Sequence, residues 1–243
     1  MCTVTFIARR NGYALGMNRD EKLTRPAGLP PRLTYLNGRA ILAPSEQSGG
    51  TWIGVNDSGA TLSLINWYSV TARVAGEAVS RGEVVKLALS SDSPAEVEAV
   101  LAELQLVQVN PFRLIGVFPS HKAVVEWRWN LQHLDRCEHR WCTNIWISSG
   151  FDEPGAQQTR GKTFREARRQ TSADGTYWLR RLHCSHGPER GPYATCMHRE
   201  DAATVSYTEV SVSRHNVTMR YAPAAPCCAA LTLTPDIRLQ LHR

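Results

Sequence analysis

The second residue of the chain would combine two reactive groups if Met1 were removed. The sequence begins MCTVTF, so Cys2 would then carry a thiol and a free α-amine. A free thiol titrates near pH ~8.5 and an α-amine near ~7.7–8.0. The amine is therefore a weak base at neutral pH, close to a sulfur nucleophile that needs one. These first residues alone favour a plainer interpretation, in which Cys2 is a small residue that opens a strand.

The residues beside Cys2 are predicted from the turn that follows. Residues 3–8 alternate as a strand does, and Asn11-Gly12 is the strongest short hairpin signal. If those two residues form the turn, Cys2 lies opposite Glu21 in the paired strand. The hairpin therefore brings the N-terminus beside the run Asn-Arg-Asp-Glu at residues 18–21.

Strand parity divides that polar run between the two faces of the sheet. Cys2 and Arg19 point to one face, and Asn18 and Asp20 to the other, because side chains alternate along a strand. A carboxylate near the α-amine would favour its charged form, and a guanidinium near the thiol would favour the thiolate. The same run is equally consistent with a polar segment at the end of a strand that has no catalytic role.

A second hairpin supplies a candidate oxyanion donor. The segments TWIGV and ATLSLINWY flank a loop at 56–59, and the expected register pairs Gly49-Gly50 with Ile65-Asn66. Glycines at this point allow a close backbone approach. The Asn66 amide can donate to a developing oxyanion, an interaction of about 3 kcal/mol in other enzymes.

The remaining pattern predicts further hairpins and several helices. Helices are expected at 82–89, from a Ser93-Pro94 cap with Glu96 in a capping box, at 161–170 and at 176–184. Strands are expected in a hairpin over 112–130, at 144–149, at 204–212 and 217–221, and at 231–233. With no internal repeat or linker, the sequence predicts a single α+β domain over residues 1–243.

Composition excludes some classes of function. No run of about 18 apolar residues occurs, so no membrane span is expected, and no signal peptide is recognisable. Seven scattered cysteines favour reduced thiols in a cytoplasm. The net charge of +6 is concentrated between residues 160 and 190. Nucleic-acid binding is not favoured, because no aromatic-studded basic motif accompanies that charge.

Metal ligation has weak support in the sequence. One group of soft ligands falls within ten residues, at His133, Cys137, His139 and Cys142. Its spacing matches no trusted zinc pattern, and the tryptophan-rich surroundings indicate strand and loop. Two shorter groups, Cys184-Ser185-His186 and Cys227-Cys228, are weaker candidates. No metal site is therefore predicted.

Three motifs resemble a known family. The segments MCTVTF, GMNRDE (16–21) and GGTWIGVN (49–56) are similar to the NRDE family, also called the Transport and Golgi organisation protein family. Blocks at 1–26, 49–68, 144–170 and 193–221 carry the resemblance. It implies the αββα four-layer sandwich of the N-terminal nucleophile hydrolases.

A more distant resemblance, to bile-salt hydrolases and penicillin V acylases, implies roles for three residues. Those enzymes also begin Met-Cys-Thr, and their Asp after the second strand matches Asp20. Their G-V/M-N-x-x-G segment is followed, seven residues later, by a catalytic Asn, which matches Asn66. The resemblance therefore implies Cys2 as nucleophile.

The chain departs from these hydrolases at three supporting positions. Met17 stands where they have an active-site Arg, so Arg19 would have to replace it. Ser149 stands where they have a second oxyanion Asn. Their late Arg falls on Cys196, with Arg199 nearby as a substitute. Either the substrate of this chain differs from theirs, or the chain has lost the hydrolase activity.

Two classes of function follow from the resemblance. The first is a cysteine hydrolase or acyl-transfer enzyme acting on a small acyl or amide substrate, with Asn18, Trp67 and Arg199 as substrate contacts and no resident cofactor. The second is a haem or acyl-lipid binding and trafficking protein on the same fold, with Cys2 or a histidine such as His121 as haem ligand. A hydrolase fold retained only for protein interaction is a third interpretation.

Overall fold

Two antiparallel sheets form the centre of the protein. The computed structural model describes residues 2–169, 175–228, 233 and 237–241. The strands within them are β1 (Cys2–Arg9), β2 (Gly12–Lys22), β3 (Leu29–Leu36), β4 (Arg39–Ser45), β5 (Ile53–Asn56), β6 (Thr61–Asn66), β7 (Phe112–Phe118), β8 (Ala123–Trp129), β9 (Leu134–His139), β10 (Asn144–Ser148), β11 (Ala202–Val212), β12 (Asn216–Ala222) and β13 (Ile237–Gln240). The first sheet has the order β10-β1-β2-β11-β12-β13, and the second runs from β3 to β9 in chain order.

The helices cover the outer faces of the sheets. They are α1 (Arg81–Ala88), α2 (Pro94–Glu103), α3 (Glu153–Ala167) and α4 (Thr176–His183), with a 3-10 turn at Leu106–Gln108. Helices α3 and α4 pack on the first sheet, where Phe164 and Trp178 meet Ile7. Helices α1 and α2 pack on the second sheet, where Val85 and Leu101 share a core with residues of β6 and β7. The chain is thus the αββα sandwich that the resemblance implied.

The inner core lies between the two sheets. Strand β1 sends Cys2, Val4 and Phe6 into it, while Ile7 points outward to the helices. Residues of the second sheet such as Ile65 complete this core. Alternation along an antiparallel strand buried on both faces produces this division, because successive side chains point to opposite faces. Cys2 therefore begins on the inner face, at the end of the inter-sheet core.

The predicted register of the first hairpin is wrong by two residues. Cys2 pairs with Arg19 rather than Glu21, and Arg9 pairs with Gly12, so Arg10-Asn11 form the turn. Only glycine fits at position 12, because the residue has φ +130° and a Cβ there would lie 2.0 Å from the carbonyl oxygen of Val212 on β11. A two-residue shift preserves every face assignment, because the side-chain period is two.

The second hairpin differs from the prediction by one residue. Val55 pairs with Thr61 rather than Ala60, so the segment between the paired positions is one residue longer than expected. Asn56 organises this loop: its side-chain oxygen accepts from the backbone nitrogens of Ser58 and Ala60. Its amide donates to carbonyl oxygens at the end of α1 and beyond, 3.1 and 3.0 Å away. The predicted pairing of Gly49-Gly50 with Ile65-Asn66 is therefore wrong, and Gly50 instead lies against the backbone of Gly82.

Several elements were not predicted. The β3–β4 hairpin turns at Asn37-Gly38, both with positive φ. Strand β3 contains Pro30 and Pro31, which are tolerated because β3 is an edge strand. Helix α3 begins at Glu153, eight residues before the expected start, with Asp152 as its N-cap. Strands β9 and β13 were also missed, and the strand predicted at 231–233 lies largely outside the described residues.

One buried histidine makes stability depend on pH. His183 on α4 is fully buried, with Nε2 3.1 Å from Thr5 Oγ1. Burial, with a smaller contribution from the charge of Arg160, lowers the pKa of His183 from 6.5 to about 3. The unfolded chain therefore binds this proton first, and stability falls as the pH drops through that interval.

We expect His183→Gln to remove most of that pH dependence. Between about pH 6.5 and pH 4.5, His183 costs the wild type about 1.4 kcal/mol of unfolding free energy per pH unit. Urea unfolding at several pH values measures the slope, and His215→Gln, at an exposed turn position, is the matched control. Equal slopes in wild type and His183→Gln would contradict the assignment.

Candidate functional site

Cys2 borders a polar cavity at the mouth of the inter-sheet core. The residue is 7% exposed and pairs with Arg19 on one side and with Ser148 of β10 on the other. The cavity has a volume of about 290 Å³. Its lining is largely polar and charged: Cys2, Arg19, Asp20, Glu21, Arg25, Glu46, Thr51, Trp52, Leu64, Asn66, Ala78, Val79, Ser80, Arg81, Gly82 and Asn110. The fold therefore brings four of the predicted catalytic residues, Cys2, Arg19, Asp20 and Asn66, to one cavity.

The Cys2 nitrogen has a defined hydrogen-bond partner. It donates to Ser148 Oγ at 3.1 Å. With Met1 attached this atom is a peptide nitrogen, and it stands where the α-amine would lie after Met1 is removed. Burial is the largest influence on the thiol and raises the pKa of Cys2, with the Asp20 charge adding to the rise and Arg19 opposing it. The thiol is thus neutral in this form and needs a base beside it to react.

Arg19 is the cross-strand neighbour of Cys2, but its charge is shared with carboxylates. Its guanidinium donates to Glu46 at 2.9 Å and to Glu21 at 3.4 Å. It also lies over the Trp52 ring, 4.5 Å from the centroid. These contacts fix the side chain along the cavity wall and reduce its influence on the thiol relative to the sequence expectation.

Asp20 and Asn18 occupy the opposite face of β2, as strand parity predicts. The Asp20 carboxylate accepts from Arg160 at 3.1 Å and from Thr204 at 2.6 Å. Arg160, on α3, also donates to Thr3 on β1 at 2.8 Å. Both members of the Arg160–Asp20 ion pair are fully buried. Asp20 therefore takes part in a network that joins β1, β2 and α3 directly behind Cys2.

Asn18 lies away from the cavity. Its amide donates to the carbonyl oxygens of His183 and Thr195, at 2.9 and 2.8 Å. Two backbone acceptors outside the cavity thus hold the amide, because Asn18 faces the helices rather than the inner core. Its expected contact with substrate does not fit this position.

Asn66 lies across the cavity from Cys2, on the other sheet. It ends β6, and its Nδ2 donates to the hydroxyl of Tyr68 at 2.8 Å. Its position on β6 places it opposite the end of β1, where the two sheets meet at the cavity. The tyrosine hydroxyl takes one of the two N–H groups of this amide.

Ser149 does not border the cavity. Its Oγ accepts from the Phe151 nitrogen at 3.3 Å. Ser148, the last residue of β10, pairs with Cys2, and Ser149 follows it outside the strand. The hydroxyl that meets Cys2 is therefore one position earlier than the local match to the hydrolases implied.

The other expected contact residues do not line this cavity. Trp67 lines a separate hollow with Arg113 and Arg128. Arg199 pairs with Asp201 and lies over the Phe151 ring, 4.8 Å from the centroid. His121 is exposed in the β7–β8 turn, at the opposite end of a seven-residue strand from the cavity, roughly 20 Å away.

Three residues of the site carried no recognisable signal in the sequence. Ser148 contacts the Cys2 nitrogen, and Arg160 supports Asp20 from α3. Arg81, the first residue of α1, lines the cavity and donates to the Pro111 carbonyl at 3.3 Å. Burial is the main influence on Arg81 and lowers its pKa. Each of the three reaches the site through tertiary packing, so neither motif nor spacing could identify it.

The group of soft ligands named from the sequence does not assemble around a point. Cys137 and His139 lie on β9, and His139 Nε2 is 2.9 Å from Glu126. Among the described residues, a different set of soft side chains converges: His186, Cys196, His198 and Cys227.

Comparison with solved structures shows the fold. A mutant of conjugated bile acid hydrolase from Clostridium perfringens matches with a TM-score of 0.57 at 9% identity, covering 96% of this chain and 92% of that one. Penicillin V acylase from Agrobacterium tumefaciens matches with a TM-score of 0.55 at 10% identity, covering 90% and 82% of the two chains. At these identities the likeness concerns the architecture, which is that of N-terminal nucleophile hydrolases.

Sequence comparison shows the family. No curated protein matches the chain. No helix in the described part of the chain is long and apolar enough to cross a membrane. The family model for Transport and Golgi organisation 2 matches residues 1–172, which is more than half of the sequence. The chain therefore belongs to the Transport and Golgi organisation 2 family.

Proposed function

We propose that the protein is a cysteine hydrolase that uses its N-terminal residue to cleave a non-peptide amide or related acyl bond. One observation carries the proposal: Cys2 borders a polar cavity that Asn66 lines from the opposite sheet, and the Cys2 nitrogen donates a hydrogen bond to Ser148 Oγ. A nucleophile, an adjacent amine and an amide donor thus meet at one cavity. The hydrolase architecture supports this assignment.

The chemistry follows from these positions. After removal of Met1, the α-amine accepts the Cys2 thiol proton, and the thiolate attacks the acyl carbon. Asn66 donates to the resulting oxyanion through the N–H of its amide that does not meet Tyr68. The C–N bond then breaks, the leaving nitrogen takes the proton from the α-ammonium, and a thioester remains on Cys2. Water, deprotonated by the same amine, hydrolyses the thioester and restores the thiol.

Supporting residues keep this geometry without taking part in bond changes. Ser148 positions the amine, and the Arg160–Asp20 pair fixes the two strands that carry Cys2 and Arg19. Burial of the cavity wall strengthens these polar interactions, because the local dielectric constant is lower than that of water.

The lining favours a small polar substrate. Arg25, Arg81, Glu21 and Glu46 place charges of both signs around the cavity. Such a lining suits an amide that bears charged groups better than the flat apolar surface of haem.

The seven cysteines are free thiols, which fits the reducing cytoplasm that we propose as the location.

Acylation of Cys2 tests the proposal. We expect the purified protein to lack Met1 and, when quenched in acid during reaction with a panel of small amides that includes penicillin V and a conjugated bile acid, to carry a thioester on Cys2. Intact mass and peptide mapping locate the adduct. Cys142, which is exposed, is the internal control for non-specific acylation. Retention of Met1, or equal labelling of Cys2 and Cys142, would refute the mechanism.

A further inference from the structure

Four soft side chains from distant parts of the chain converge outside the proposed active site. They belong to the segment after α4, the approach to β11 and the segment after β12. All four ligand atoms lie within 4.8 Å of one another. We call them the His₂Cys₂ cluster: His186, Cys196, His198 and Cys227.

Hydrogen bonding cannot account for the close contacts of His198 Nε2, the atom that the other three ligands surround. His198 Nε2 is 3.2 Å from His186 Nε2, 3.3 Å from Cys227 Sγ and 3.6 Å from Cys196 Sγ. An imidazole nitrogen has one proton or one lone pair, so it can form only one of these three contacts as a good hydrogen bond. A cation between the four atoms would accept lone pairs from all of them.

The separations match a tetrahedral zinc site. Zinc bonds of about 2.0–2.1 Å to nitrogen and about 2.3 Å to sulfur imply ligand separations of about 3.4 Å between nitrogens and about 3.6 Å between nitrogen and sulfur. The observed distances of 3.2, 3.3 and 3.6 Å lie close to these values. Two thiolates also balance the charge of Zn²⁺, so the loaded site is neutral where Cys196 is buried.

One neighbouring cation must move when a metal binds this cluster. Arg190 Nη2 lies 3.3 Å from His198 Nδ1. Metal at Nε2 would leave a proton on Nδ1, so Arg190 must turn away, and its exposed position allows this. A metal would also displace the thiol protons.

Backbone hydrogen bonds build the frame that holds the ligands. The nitrogen of Cys196 donates to the Ser185 carbonyl at 2.9 Å, and that of His198 donates to the Gly191 carbonyl at 3.2 Å. Between them, the Met197 nitrogen donates to Thr204 Oγ1 at 2.8 Å. The same Thr204 hydroxyl reaches Asp20. The cluster is thus attached to the network behind Cys2.

We propose that the His₂Cys₂ cluster binds one Zn²⁺ as a structural site. Four protein ligands complete the tetrahedron and leave no position for a substrate, unlike a catalytic zinc site. The metal ties the segment that contains Cys227 and the loop after α4 to the start of β11. This role is separate from the hydrolase chemistry and does not depend on it.

Metal binding by the reduced full-length protein tests the proposal. We expect one Zn²⁺ per chain by elemental analysis after dialysis, and X-ray absorption at the zinc edge with two sulfur and two nitrogen neighbours. Co²⁺ should replace it with the visible absorption of a tetrahedral ion and a sulfur-to-cobalt charge-transfer band. Zinc should raise the melting temperature, since it binds only the folded state, and a chelator should reverse this.

Variants locate the metal. Cys196→Ser and Cys227→Ser should each lose the cobalt charge-transfer intensity of one sulfur and weaken zinc binding at least tenfold, whereas Cys137→Ser should match the wild type. The wild-type spectra decide the question even if a ligand variant fails to fold. Zinc content well below one per chain with zinc in excess, wild-type binding in both cluster variants, or a Cys196–Cys227 disulfide that persists with reductant and zinc would each overturn the proposal.

Discussion

Replacement of Cys2 by alanine is expected to reduce amide turnover by roughly 10⁶-fold, to the background rate. The proposed reaction passes through a thioester on this sulfur, and among the described residues Cys2 is the cysteine that lines the cavity. The folded state should persist, because Cys2 is a small side chain at the edge of the inner core. Turnover of an amide that acylates the wild type, measured at saturating substrate, gives the effect.

Two further variants make this result specific. Cys142→Ala removes an exposed thiol and should leave turnover unchanged. Cys2→Ser keeps the amine and a hydroxyl in place, so it should retain a little activity, because an alcohol is harder to ionise than a thiol. Unchanged turnover in Cys2→Ala would exclude the cysteine mechanism, whatever other activity the protein has.

Replacement of Arg160 by methionine is expected to lower the free energy of unfolding by about 3–5 kcal/mol. Arg160 and Asp20 are both fully buried, so the substitution removes the cation from a carboxylate that stays in a low-dielectric environment. Arg160 also donates to Thr3 and to the Pro192 carbonyl, and these bonds are lost as well. Urea unfolding followed by far-ultraviolet circular dichroism measures the change.

A matched control and a rescue variant separate the ion pair from general damage to α3. Lys162→Met, at an exposed position of the same helix, should change stability by less than about 0.5 kcal/mol. Adding Asp20→Asn to Arg160→Met should recover part of the loss, because the uncompensated charge is then gone. A loss below about 1 kcal/mol for Arg160→Met would mean that the buried pair does not hold the strands together.

Local signals in the sequence predicted individual elements well. Ser93 caps α2 and accepts from the Glu96 nitrogen, as the capping box indicated, and the Glu96 carboxylate accepts from the Asp92 nitrogen and the Ser93 hydroxyl. The hairpin of β7 and β8 lies where the alternation placed it. The division of Cys2 and Asp20 between two faces of the sheet was also predictable, since it depends only on a period of two residues.

Contacts between distant segments decided what the sequence left open. The register beside Cys2 depends on Gly12, whose neighbour Val212 lies 200 residues away. The choice of Ser148 over Ser149 depends on how β10 pairs with β1. Turn signals concern residues that are close in the chain, so they predict neither the register beside Cys2 nor the pairing of Ser148 with it.

The amino-acid sequence by itself determined the family, the αββα class and the nucleophile candidate at Cys2. Only the tertiary structure decided which side chains meet: Arg160 with Asp20, Arg81 with the cavity, and the four ligands of the His₂Cys₂ cluster. Motifs and caps act between near neighbours in the chain. Convergence of residues tens to hundreds of positions apart depends on the packing of sheets and helices, which no local pattern records.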